Sequence, residues 1–172
     1  MSATLRRTEI LTIIQNAKAP VSASLLAKNL QVSRQLIVGD VALLRAQGHD
    51  IIATARGYII PALRNENRYL GKIACSHTPD ATKAELYIIV DSGAVVVDVI
   101  VEHDIYGEIS GQLNLQNRDE VDAFMDKVYH EEVKLLSELT QGVHLHTLAC
   151  RDKTHFDLVC EQLSASGYLL DN

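Results

Sequence analysis

Two histidines set two residues apart, His144 and His146, lie in the stretch VHLHTLAC, whose alternation predicts a β-strand. Successive strand side chains point to opposite faces, so both imidazoles emerge from the same face at a spacing that lets two ring nitrogens bind one ion. His77, at the end of an earlier predicted strand, can join them from a neighbouring position. Glu85 follows eight residues later on a predicted helix and supplies a carboxylate oxygen if that helix crosses the same face. Three imidazoles and a carboxylate suit zinc, nickel, iron(II), cobalt or manganese, and the residue types do not choose among them. A strand with one exposed face also produces an H-x-H pair with no metal, so the spacing alone leaves both readings open. The other histidines read as structural: His130 beside Glu131 and Glu132 on a solvated helix, His155 in a helix whose apolar stripe is carried by others, and His49 at a hairpin start. The three cysteines, Cys75, Cys150 and Cys160, are odd in number and form no C-x-x-C. They build neither a disulfide framework nor a thiolate zinc site and read as small buried hydrophobes.

The elements that must carry these residues follow from periodicity. A strand over 68–76 precedes Thr78-Pro79-Asp80, which has a capping residue, a proline at the first helical position and a carboxylate in the first turn. That helix runs to about Asp91 and ends at Ser92-Gly93. Val95–Val101 and Tyr106–Leu115 are the next strands, turning near Asp104. Asn117 with Glu120 starts a long helix with Val121, Phe124, Val128 and Leu135 inside, broken at Gln141-Gly142. The strand Val143–Cys150 follows, then a helix from Asp152 to about Ser166 with Phe156, Val159, Cys160 and Leu163 inside, and a last short strand over Tyr168–Leu170. The order β-α-β-β-α-β-α-β begins as a split-βαβ, ferredoxin-like pattern.

The first seventy residues differ in charge and in periodicity. They carry nine Lys/Arg against four Asp/Glu, a balance of +5, whereas the remaining chain has seven against eighteen, a balance of −11 within an overall −6. A basic head on an acidic body predicts that the head meets a polyanion. Ile10, Ile13, Ile14 and Ala17 give a helical stripe over about 5–17, with Arg6, Arg7 and Gln15 outside it. Ser22 caps a second helix through about Leu30, with Leu26, Ala27 and Leu30 inward. After Gln31-Val32, Ser33 caps a third, with Ile37, Val41 and Leu44 inward. Two short helices joined by a three-residue turn form a helix-turn-helix whose second helix projects Ser33, Arg34, Gln35 and Val38 toward base edges. His49–Ile60 reads as a hairpin whose tip carries Arg56, a wing able to reach a phosphate or minor groove. One winged helix reads few base pairs, so a homodimer on a palindromic operator is expected. The domains are expected at 1–62 and 68–172, linked by the short polar run PALRNENR. No segment has the length of a membrane span or the form of a secretory signal, which together with the cysteine pattern predicts a cytoplasmic protein with no membrane partner.

The segment VSRQLIVGDVALLRAQGHDIIATARGYII closely resembles the winged helix of the NiaR (YrxA-like) niacin-responsive repressors. SHTPDATKAELYIIVD, VIVEHDIYGEI and GVHLHTL resemble the segments that define the three-histidine (3H) domain joined to it. The resemblance implies an α+β chain, a winged helix-turn-helix followed by a split-βαβ 3H domain, and a non-enzymatic repressor of NAD biosynthesis or niacin uptake genes. It implies one divalent metal per chain, nickel or zinc foremost, held by the matching His77, Glu85, His144 and His146. It also implies nicotinate as corepressor, with His103 and Tyr106 as candidate effector contacts. Nicotinate offers a carboxylate and a pyridine nitrogen, either of which an open metal position could accept. Three departures stand out: Gln31 for the usual turn glycine, Gly39 for a polar residue in the recognition helix, and Asp104 for a frequent proline. A direct metal-sensing regulator is the alternative. A metal-dependent hydrolase on a DNA-tethering head ranks below both, since no general base is evident beside the ligand set.

Overall fold

Five helices begin on a side-chain oxygen that accepts a backbone N–H three residues on: Ser2 from Leu5, Ser22 from Leu25, Ser33 from Leu36, Asn117 from Glu120 and Asp152 from His155. Each closes one of the donors that a helix start leaves open. The computed structural model describes residues 2–61 and 68–170, and divides into two compact units, residues 1–65 and 66–172. Residues 62–67 of the run read as a linker lie outside the described residues.

The head comprises α1 (Ala3–Asn16), α2 (Ala23–Leu30), α3 (Arg34–Ala46) and a hairpin of β1 (Ile52–Thr54) and β2 (Gly57–Ile59). Ile10, Ile14, Leu26, Ile37 and Val41 are almost fully buried and form its core with Leu30, Leu44 and Ile51. Each such side chain contributes roughly 1.5–3 kcal/mol of burial. Tyr58 and Val21 exchange backbone hydrogen bonds of 2.8 Å, tying the wing to the start of α2. At Gly57 a Cβ would collide with the Val21 carbonyl, so the close approach requires glycine. Gln31 takes the left-handed conformation (φ 54°) at the end of α2, which explains why a glycine suits that turn. Arg6, expected outside the apolar stripe of α1, is buried instead. Its guanidinium meets Asp40 on α3 at 2.5 and 3.3 Å, and a charge pair of this kind leaves no apolar signature in the periodicity.

The body comprises β3 (Tyr69–Ser76), α4 (Thr82–Asp91), β4 (Val95–His103), β5 (Gly107–Leu115), α5 (Arg118–His130), β6 (Val143–Cys150) and α6 (Lys153–Ala165). Among the described residues its sheet has the order β3-β6-β4-β5, every neighbouring pair antiparallel. β3 and β4 therefore run parallel with β6 between them, which is a split βαβ unit. In the ferredoxin-like order the strand after the second would fill that gap. Here the last strand fills it, because β6 buries most of its side chains whereas β5 opens with exposed Gly107, Glu108 and Ser110 and takes an edge. Leu86, Ile89, Val96, Leu115, Val121, Met125, Leu148, Val159 and Leu163 form the core.

Four local expectations are corrected. Pro79–Ala81 forms a 3₁₀ turn closed by the Ala81 N–H on the Thr78 carbonyl, and the Thr78 side chain makes no cap. The long helix stops at His130 rather than Leu135, where Glu132 turns left-handed at φ 50°, and a 3₁₀ segment covers Leu136–Thr140. Within it Met125 takes the deep position, with Phe124 and Val128 half-buried. Tyr168–Leu170 makes one bridge, Leu169 to Cys75, rather than a strand. His155 is buried: it accepts the Arg151 N–H at Nδ1 and donates from Nε2 to the Ser92 carbonyl, joining the start of α6 to the end of α4.

Candidate metal centre and nucleic-acid interface

The register of β3 against β6 pairs Cys75 with His144 and Ile73 with His146, so these four side chains share a face. His77 lies just past the end of β3. Glu85, on the buried side of α4 with Thr82, Leu86 and Ile89, is itself fully buried. Its carboxylate receives all three imidazoles: His77 Nε2 stands 2.7 Å from Oε2, His146 Nε2 3.6 Å from Oε2, and His144 Nε2 3.4 Å from Oε1. Adjacent rings pack edge to face at 4.9 Å between centroids, His77 on His144 and His144 on His146.

The opposite nitrogens are fixed as well. His77 Nδ1 lies 2.8 Å from the Thr78 carbonyl, His144 Nδ1 2.8 Å from the Gly142 carbonyl, and His146 Nδ1 2.6 Å from the Asp98 carbonyl. A carbonyl only accepts, so each Nδ1 carries a proton, and each Nε2 is left to face Glu85, as a lone pair in the neutral ring or as an N–H donor in the protonated one. Three lone pairs facing a carboxylate repel it unless a proton or a metal cation stands among them. This anchoring of the second nitrogen is the outer-shell pattern of metal-bound histidine. Gly142 makes it possible: at φ 97° its carbonyl holds His144, and a Cβ there would strike the His77 carbonyl.

The electrostatics agree with the geometry. Burial opposes the Glu85 charge, but hydrogen bonding to His144, His146 and His77 overrides it and holds the carboxyl well below its usual range. Burial also opposes protonation of His77, and the Glu85 hydrogen bond and charge outweigh it, so its pKa is raised. Even so, Glu85 Oε1 and Thr82 Oγ1, one turn apart on α4, are buried without a hydrogen-bond partner. The donor set and the orphaned oxygen both fit a bound divalent cation.

Cys75 was read from the sequence as packing, yet a donor atom each from Cys75, Glu85 and His144 lie within 4.8 Å of one another, forming a buried group compatible with a metal. Cys75 and His77 have the same two-residue spacing as His144 and His146, and that was the signal available. His103 and Tyr106 lie at the turn between β4 and β5. His103 Nδ1 accepts from the amides of Ile105 and Tyr106 and holds the β4–β5 turn, while Tyr106 is 77% exposed. A cleft of about 310 Å³ beside His77 is lined by Thr78, Pro79, Ser137, Gln141 and Gly142.

In the head, Ser33, Arg34 and Gln35 are exposed at the start of α3, although the Ser33 hydroxyl is committed to its cap. Val38 is half-buried, with part of its side chain packed against the head core. The outward face continues instead through Leu36, Gly39 and Leu43, with Leu36 and Leu43 exposed. Arg56 stands in the two-residue turn of the wing, where its N–H is accepted by Thr54 Oγ1. No helix among the described residues is long and apolar enough to cross a membrane.

Comparison with known proteins agrees with this division. The 3H domain family matches residues 71–172, and an HTH domain matches residues 6–59. The chain is 40% identical over 167 residues to the transcription repressor NadR of Bacillus subtilis (strain 168), covering 96% of this chain and 93% of that protein. It is 38% identical over 166 residues to the probable transcription repressor NiaR of Thermotoga maritima, covering 96% and 94%.

Proposed function

This chain belongs to the NadR/NiaR family of transcription repressors, an HTH domain followed by a 3H domain, and from that premise we propose that its 3H domain holds a divalent metal and uses it to receive nicotinate as corepressor. A repressor of this kind is a DNA-binding regulator and not an enzyme. The single observation that carries the metal reading is the convergence of three carbonyl-anchored imidazoles on one buried carboxylate. His77, Glu85, His144 and His146 hold the ion, which supplies a positive centre for an anionic ligand.

The cleft beside His77 supports an effector site next to that centre. Its Glu138 carboxylate is occupied by the Leu135 N–H at 2.6 Å. Thr78, Ser137 and Gln141 offer the polar contacts for nicotinate in this cleft. On DNA, Arg34 and Gln35 read base edges, Leu36 meets thymine methyl groups and Arg56 approaches the backbone from the wing. The repressor acts as a homodimer on a palindromic operator, and nicotinate tightens that binding.

The test is a titration of operator DNA with nicotinate, nicotinamide and metal. Nicotinate is expected to raise operator affinity, and linkage then requires DNA to raise nicotinate affinity by the same factor, with a coupling of about 1–3 kcal/mol. Nicotinamide, lacking the carboxylate charge, is expected to act more weakly. An operator affinity that responds to metal and is unchanged by saturating nicotinate would make the protein a direct metal sensor.

A further inference from the structure

We propose that Cys75 is a further donor of the metal centre, a thiolate ligand that makes the site prefer thiophilic divalent ions. The inference rests on the reading of the histidine and glutamate cluster as a metal site and goes beyond it in the identity of the ligands. Cys75 is the cross-strand partner of His144, shares its face of the sheet, and has no exposed surface. Its sulfur lies within 4.8 Å of donor atoms from both Glu85 and His144.

The second observation is on the carboxylate: burial together with its charge pushes the Cys75 thiol up, so that the thiol keeps its proton until a cation replaces it. Glu85 Oε1, on a fully buried side chain, has no hydrogen-bond partner, and it is the oxygen on the His144 side of the carboxylate. Oε2 is occupied by His77 and approached by His146. The unsatisfied charge of the cluster is thus directed to the side where His144 and its strand neighbour Cys75 stand. A cation bridging Oε1, the His144 nitrogen and the sulfur would satisfy the orphaned oxygen.

Packing alone does not call for sulfur here. The preceding residues on this face of β3 are Gly71 and Ile73, the latter buried, and a valine would fill a similar volume without bringing a thiol to a buried carboxylate. In the binding step the S–H bond breaks, a sulfur–metal bond forms and the proton leaves to solvent, with no change of oxidation state. A thiolate added to imidazoles and a carboxylate shifts preference toward zinc, nickel and cobalt and away from manganese and magnesium.

The full-length protein, stripped by chelator, is titrated with cobalt(II) alone. The expected result is a near-ultraviolet sulfur-to-cobalt charge-transfer band that saturates with the visible ligand-field bands and vanishes in Cys75→Ala, while the visible bands persist. Competition is expected to show zinc affinity reduced about 10- to 100-fold in Cys75→Ala, with manganese affinity little changed, a loss of the size seen when a supporting group of a metal site is removed. Cys160→Ser, on half-buried α6, is expected to retain the band. Should Cys75→Ala not fold, retention of the band in both Cys150→Ser and Cys160→Ser assigns the sulfur to Cys75, and its loss in either overturns the proposal. Ligand-field bands without charge transfer would overturn the proposal and leave the histidine and glutamate centre standing. Failure of the folded wild type to bind cobalt, zinc or nickel would overturn both.

Discussion

A deeply buried carboxylate stands in each unit of this protein, Asp40 in the head and Glu85 in the body, and the two are finished differently. Asp40 in the head, 3% exposed, receives the Arg6 guanidinium at 2.5 and 3.3 Å and has Arg7 at 3.5 Å, so its charge is answered within the fold. Glu85 in the body, 0% exposed, is answered by three rings whose other nitrogens already use a proton each, and one of its oxygens has no hydrogen-bond partner. A buried charge that is paired holds elements together, here α1 to α3. A buried charge that lacks a permanent counter-ion marks a place where the fold accepts one from outside.

The largest expected effect breaks the completed pair. Asp40→Ala leaves the Arg6 guanidinium buried without a partner and should destabilise the head by about 3–5 kcal/mol. Amide hydrogen exchange over α1 and α3 in the full chain measures it. A cost below about 1 kcal/mol would show that the pair is not what positions the recognition helix.

The incomplete site should respond in the opposite sense, gaining from an added ion. Zinc or nickel at a hundred times its dissociation constant should stabilise the body by about 2.7 kcal/mol. In Glu85→Gln the gain should shrink, and in the double variant His144→Ala, His146→Ala it should disappear together with the bound equivalent measured by elemental analysis. The pH response should reverse with loading. Because Glu85 raises the pKa of His77, the metal-free body has that contribution in full below the ordinary imidazole value of about 6.5 and loses it as pH rises through the raised pKa. Metal needs the deprotonated rings, so metal affinity should rise over the same interval. Thermal unfolding with and without chelator across this range tests the reversal, and parallel pH profiles would contradict it.

Arg34→Ala, at an exposed position, should weaken specific operator binding by about 1–3 kcal/mol without moving head stability. Unchanged affinity in a folded variant would remove α3 as the reading helix. The smallest effect is expected at Gly39, where a Cβ meets nothing within 4 Å in the protein. Gly39→Ala should stabilise α3 by roughly 1 kcal/mol. If operator affinity drops at the same time, the added methyl group obstructs DNA, and Gly39 serves close approach.

Much of the head was legible because its signals are local. Ser22 and Ser33 cap the helices that follow them, and Ile37, Val41 and Leu44 recur on one side of one helix. Arg6 was misjudged because its partner is 34 residues away on another helix. In the body, spacing placed His144 and His146 on one face and offered His77 and Glu85 as partners if their elements met that face, and the resemblance joined the four into one ligand set. Caps, helix faces and strand alternation are written in the chain itself, since these depend on residues a few positions apart. The position of β6 between β3 and β4 arises only in the tertiary fold, which sets Cys75 opposite His144 and leaves one oxygen of Glu85 without a hydrogen-bond partner. No local pattern contains that information, because strand order is settled by which strands bury best, and the pairing of side chains across strands follows only once the order exists.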